Sequence, residues 1–114
     1  MLKLPLVTFV VTSFNYEKFI AKTIESIKAQ TYKNIEIIIV DDCSTDNSRE
    51  IIEQFNDVKL VKNDKNIGQL ASMLKGLKFA NGQFVSFIDS DDILMPEYAQ
   101  NHIRVHLQTS VALT

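Results

Sequence analysis

The run Ile35-Glu36-Ile37-Ile38-Ile39-Val40 limits the possible folds more than any other stretch of this chain. Successive strand residues point to opposite faces, so a strand this apolar at both parities is covered on both sides. That environment belongs to a parallel sheet between two layers of helices. Leu6-Val7-Thr8-Phe9-Val10-Val11, after Pro5, and Phe84-Val85-Ser86-Phe87-Ile88 read the same way. The half-polar Val58-Lys59-Leu60-Val61 reads as a shorter strand nearer a sheet edge.

The segments between these runs carry helical spacing. Phe19, Ile20, Ile24 and Ile27 give one apolar face to a helix expected over Glu17 to Gln30. Asp46 or Asn47 is placed to cap a second helix running to about Phe55, with Glu50 completing a capping box. A third helix is expected from Gln69 to Ala80, closed by Asn81-Gly82 in a left-handed cap. Pro96 suits the first position of a last helix reaching Leu107, and Val111-Ala112-Leu113 could begin a fifth strand. The order β-α-β-α-β-α-β-α with short links predicts a three-layer α/β/α domain with a mostly parallel sheet.

Each of two strands is followed at once by acid: Asp41-Asp42-Cys43-Ser44-Thr45-Asp46 and Asp89-Ser90-Asp91-Asp92. Open parallel sheets bind ligands outside the carboxyl ends of their strands. Carboxylates delivered to that edge can seat a hard divalent cation and the polyphosphate it neutralises. Capping and loop solvation account for Ser44 and Asp46, but for only one of two consecutive aspartates after an apolar strand. The crowded carboxylates of the second cluster repel one another unless solvated or shared by a cation. Alone, that cluster also reads as an exposed acidic turn; its place at the same edge as Asp42 favours a site. Phe14 and Tyr16 follow the first strand, where an aromatic ring could stack on a nucleobase or pack under the first helix.

Other features point away from several function classes. Net charge is -2 with scattered lysines, so nucleic-acid binding is not expected. The lone Cys43 cannot form an internal disulfide and has no histidine at nucleophile spacing. His102 and His106 have metal-ligand spacing, but Ile103 stands where the zinc-protease motif needs glutamate, so both read as surface residues. The dinucleotide and P-loop glycine patterns are absent. No apolar run approaches the roughly 20 residues that cross a membrane, and no signal peptide is evident. A cytoplasmic protein is expected, with membrane association open for a longer parent polypeptide.

Val10-Val11-Thr12-Ser13-Phe14-Asn15, Ser26-Ile27-x-x-Gln30-Thr31-Tyr32, Glu36 through Asp46, and Phe87-Ile88-Asp89-Ser90-Asp91-Asp92 together resemble the family 2 glycosyltransferases of the GT-A fold. The resemblance runs from Pro5 onward. It implies that residues 1–114 form a single partial domain, the nucleotide-sugar-binding half of a truncated GT-A enzyme. The implied reaction moves a sugar, with inversion, from a nucleoside diphosphate donor of UDP-sugar type to an unidentified acceptor. By the same resemblance, Thr12, Phe14, Asn15 and Asp42 meet the base, Asp89 faces the ribose, and Asp91 with Asp92 holds Mg²⁺ or Mn²⁺. A cation there would stabilise the departing diphosphate. The catalytic base is expected beyond Thr114, so none is named and the chain alone is expected to be inactive.

Many such enzymes carry an Arg-Asn pair in the third helix, where this chain has Met73-Leu74; Lys75 or Lys65 is the candidate substitute. A half-domain would leave a sheet edge and apolar helix faces uncovered, so self-association is expected. Two other readings compete. A receiver-like phosphoacceptor domain also pairs an aspartate doublet with a later aspartate, but its doublet follows the first strand. A non-catalytic α/β interaction module would use the acidic edge for solubility alone.

Overall fold

A computed structural model describes residues 4–101 and residue 103. The elements are β1 (Val7–Ser13), α1 (Ile20–Lys28), β2 (Ile35–Asp41), α2 (Ser48–Glu53), β3 (Val58–Lys62), α3 (Gln69–Phe79) and β4 (Phe84–Asp89). Residues 98–101 are again helical, two positions after Pro96. The expected fifth strand and histidines 102 and 106 lie outside the described residues, as does the end of the last helix.

All pairings are parallel and the strand order is β3-β2-β1-β4. β1 is buried along its whole length and β2 over its last five residues, while β3 lies at an edge, as its half-polar sequence predicts. The chain steps outward from β1 through β2 to β3, then crosses back over the sheet to place β4 on the other side of β1. The direction therefore reverses between β1 and β4. In open α/β sheets that reversal marks the ligand crevice.

Ile20, Ile24 and Ile27 pack with Phe9, Val11, Ile37, Ile39 and Ile52 in the larger core cluster. α3 lies against β1 and β2, on the face where Ile38, Val40 and Val61 cluster. Its approach is close: a Cβ on Gly76 would stand 2.4 Å from Val10 Cγ1. Glycine is thus required for contact with the sheet. The outer side of α3 leaves Leu70, Leu74 and Leu77 exposed.

Three local expectations need correction. α1 begins at Ile20, not Glu17, because the backbone N–H groups of Tyr16 and Glu17 donate to Ser48 Oγ and Asp46 Oδ2, both at 3.1 Å. Phe19 consequently sits at the N-cap and is half exposed instead of joining the apolar face. The capping box at α2 does not form: Asn47 makes no side-chain cap bond, and Asp46 Oδ1 accepts instead from Ser48 N at 2.9 Å. α3 ends without a left-handed cap, its C-cap Ala80 being extended. Glu36 captures both the backbone and amide N–H groups of Asn81, and Gly82 N donates to Thr8 Oγ1, so the chain is pulled straight into β4. Among the described residues no helix is long and apolar enough to cross a membrane.

Candidate functional site at the strand-order reversal

A cavity of about 360 Å³ opens at the carboxyl ends of β1 and β4. Thr12, Phe14, Asp42, Asp89 and Asp91 all line it, so the two acidic clusters meet in one place. Register explains the meeting. Thr12 pairs with Asp89 across β1 and β4, and Ser13 pairs with Asp41 across β1 and β2. The next residue of each chain therefore emerges at the same rim. Phe14 and Tyr16 are both partly exposed there, and Tyr16 rests edge-on against Phe19 at 6.3 Å between ring centroids.

Asp42 is buried, yet it is richly provided with donors. Its Oδ1 accepts from Ile67 N at 2.7 Å and Asn63 Nδ2 at 3.0 Å; its Oδ2 accepts from Gly68 N at 2.9 Å. Burial alone would push its carboxyl up the pH scale. Hydrogen bonds from Ile67, Asn63, Gly68 and Ser72 outweigh that and hold it below the ordinary aspartate value. Gly68 has φ of 94°, a backbone region that L side chains rarely adopt, and this turns its N–H toward Asp42.

Asp41 faces the other side of the sheet and is fully buried. Arg49 Nε donates to its Oδ2 at 2.6 Å, and Ser44 supplies both its N–H and its hydroxyl. Asn63 joins the two acids into one network. Its carbonyl accepts from Arg49, its amide donates to Asp42 and Ser72, and its Oδ1 accepts from Lys75 Nζ at 2.7 Å. Lys75 thus stands behind Asp42, one hydrogen bond removed, and neither it nor Lys65 lines the cavity.

Asp91, by contrast, is exposed and has no side-chain partner among the described residues. Asp89 is exposed too, and its Oδ1 accepts from Gln69 Nε2 at 2.7 Å. Two expected site residues are turned elsewhere. Asp92 does not line the cavity; its Oδ2 accepts from Asp89 N at 3.2 Å. Asn15, at φ 56°, likewise lies outside the lining, and its side-chain Oδ1 accepts from Thr45 N at 2.8 Å. It shapes the first acidic loop. No cluster of three or more His, Cys, Asp or Glu side chains that could hold a metal occurs among the described residues. A cation here would have to draw ligands from a bound diphosphate and water, which suits Mg²⁺ or Mn²⁺ beside a lone unpartnered carboxylate.

Sequence reasoning does not single out Asn63, Ser72 or Gln69 as parts of the site. Asn63 reads as a turn residue and Gln69 as a first-turn helix residue. The one available signal is the Gly68-Gln69 junction, where a glycine precedes a helix that carries no capping side chain.

This arrangement has known counterparts. The sequence profile described as "Glycosyl transferase family 2" matches residues 8–113, and the chain belongs to that family. Two Escherichia coli relatives are UDP-Glc:alpha-D-GlcNAc-diphosphoundecaprenol beta-1,3-glucosyltransferases. WfgD is 35% identical over 94% of this chain and 43% of its own length. WfaP is 39% identical over 86% of this chain and 40% of its own. Among solved structures, S. aureus TarS in complex with UDP-GlcNAc superimposes with a TM-score of 0.80 at 31% identity, covering 84% of this chain and 29% of TarS. The Pyrobaculum calidifontis mannosyltransferase PcManGT with GDP-Man and Mn2+ gives 0.70 at 28% identity, over 76% of this chain and 28% of its own. The architecture is the GT-A α/β fold. The chain spans less than half the length of each of these four proteins.

Proposed function

We propose that residues 1–114 supply the donor-binding half of an inverting glycosyltransferase that uses a nucleoside diphosphate sugar, a UDP-sugar first among them, with Mg²⁺ or Mn²⁺. The observation that supports this reading is the convergence of Asp42, Asp89 and Asp91 on one cavity bordered by two partly exposed aromatic rings. Phe14 offers a face for the base, and Thr12 forms the wall beside it. Asp42, ionised and rigid, keeps an unused lone pair on Oδ2 that can accept an imide N–H such as that of uracil. Asn15 acts from behind by holding the 44–46 loop. Asp89 addresses the ribose, and Asp91 carries the cation with Asp92 adjacent. When bound, the cation offsets the charge that builds on the departing diphosphate.

Inversion by direct displacement also needs a carboxylate to take the acceptor's proton, and none of the described residues is assigned that role. On this reading the chain binds donor without turning it over. Any self-association would use the exposed Leu70, Leu74 and Leu77. The acceptor is left open.

Calorimetric titration of the chain with UDP in the presence and absence of Mn²⁺ tests the reading. Metal-dependent binding is expected, with Asp91→Ala reducing affinity at least tenfold, about 1.4 kcal/mol. UDP binding that ignores both the metal and Asp91 would overturn the metal assignment. No nucleotide binding at all would favour the interaction-module alternative, and capture of an acyl-phosphate analogue at Asp42 the receiver-like one.

A further inference from the structure

Gln69 makes a contact that the donor-binding reading does not use. It is the first residue of α3, directly after Gly68, whose N–H is anchored on Asp42 Oδ2 at 2.9 Å. With the backbone pinned one residue away, the Gln69 side chain reaches across the cavity and donates from Nε2 to Asp89 Oδ1 at 2.7 Å. Both residues are exposed and both line the cavity. Asp89 Oδ2 has no partner among the described residues. A bond between two exposed side chains adds little to folding, because water would replace it at small cost. Its consequence is directional: one carboxylate oxygen is occupied and the other is left free in a defined orientation.

The chemical type of the donor also counts. Glutamine is neutral, so Asp89 keeps its full charge beside Asp91. A lysine or arginine at position 69 would cancel part of the charge that a cation needs, and a glutamate would repel Asp89. An amide is the polar group that orients the acid without changing the charge of the site.

We propose that Gln69 is a positioning residue that sets ribose discrimination by fixing Asp89 with Oδ2 free to accept a ribose hydroxyl. This rests on the assignment of Asp89 to the donor ribose. A held acceptor rewards a hydroxyl in one place, whereas a freely rotating carboxylate can turn to water instead.

The test compares UDP with 2′-deoxy-UDP and 3′-deoxy-UDP, each titrated with Mn²⁺ into the full chain and into its Gln69→Ala, Gln69→Glu and Asp89→Ala variants. For the wild type, one deoxy analogue is expected to bind at least about tenfold more weakly than UDP, the loss of one hydrogen bond to a charged group. Gln69→Ala should bring that ratio close to one while leaving the enhancement of UDP binding by Mn²⁺ within about twofold of the wild type. Gln69→Glu, equal in size but unable to donate, should lose the ratio as well, which separates hydrogen bonding from packing. A ratio that survives in Gln69→Ala but disappears in Asp89→Ala would overturn the role of Gln69. Equal weakening of UDP and both deoxy analogues in Gln69→Ala would also overturn it, by reducing Gln69 to a support for the loop. Absence of UDP binding by the wild type would instead reject the donor-binding reading, and this inference with it.

Discussion

Asp41-Asp42 and Asp89-Ser90-Asp91 occupy equivalent places, each at the carboxyl end of a parallel strand, yet their surroundings are opposite. Asp41 and Asp42 are buried, and donors on Ser44, Arg49, Asn63, Ile67 and Gly68 supply their hydrogen bonds. Asp89 and Asp91 are exposed, and among the described residues only Gln69 donates a hydrogen bond to their carboxylates. The first pair is electrostatically complete before any ligand arrives. The second is not. Buried charge must be balanced within the fold, whereas exposed charge can wait for a partner from solution. On the proposed reading, the difference separates a rigid wall that recognises the base from an open rim that receives the cation.

The largest effect that can break this contrast is expected at Asp41. Asp41→Ala leaves Arg49 without its carboxylate and strips Ser44 of its acceptor. We expect a loss of about 3 kcal/mol in urea unfolding, the low end for removing one member of a buried pair, because Arg49 retains some access to water. A loss below about 0.5 kcal/mol would show that the first cluster is no more built into the fold than the second.

The acid limb of the stability curve sharpens the comparison further. The folded-state value of Asp42 is depressed: burial opposes ionisation, but the donors from Ile67, Asn63, Gly68 and Ser72 prevail. Its contribution is therefore fully present above the unfolded aspartate value of about 3.9 and is lost as pH falls through the lower folded value. Urea midpoints measured downward from pH 6 should drop more steeply below about pH 4 for the wild type than for Asp42→Asn. That variant should also be less stable at neutral pH, since an amide N–H would meet the Gly68 N–H. Parallel curves would mean that Asp42 is not held ionised by its neighbours.

How much of this was visible beforehand follows from the same distinction. The strands, their parallel pairing and the edge position of β3 were legible in the spacing of Ile and Val, because burial on two faces writes itself into every residue. The meeting of Asp42 with Asp91 was legible as well, since both follow strands of one parallel sheet. The start of α1 was not. It is decided by Asp46 and Ser48, about thirty positions away in sequence, a reach with no periodic signature. Asn63 was missed for a related reason. An asparagine in a turn usually bonds to its own backbone, and nothing in Asn63-Asp64-Lys65-Asn66 marks the first residue as the link among Arg49, Lys75 and Asp42. The left-handed cap at Asn81-Gly82 was a sound local inference defeated by Glu36 across the sheet.

The smallest expected effect lies at Asp91, and it is informative because it is small. An exposed carboxylate with no partner contributes nothing that folding would miss, and its charge adds to the repulsion among Asp89, Asp91 and Asp92. Asp91→Asn should thus change the urea midpoint by no more than about 0.5 kcal/mol, with any change towards greater stability. Mn²⁺ should then separate the two proteins. A ligand that binds only the folded state raises stability with its concentration, so millimolar Mn²⁺ with UDP should stabilise the wild type by at least about 1 kcal/mol more than Asp91→Asn. If Asp91→Asn lowered stability as far as Asp41→Ala does, the rim would be part of the scaffold, and the division between a finished wall and an open cation seat would fail.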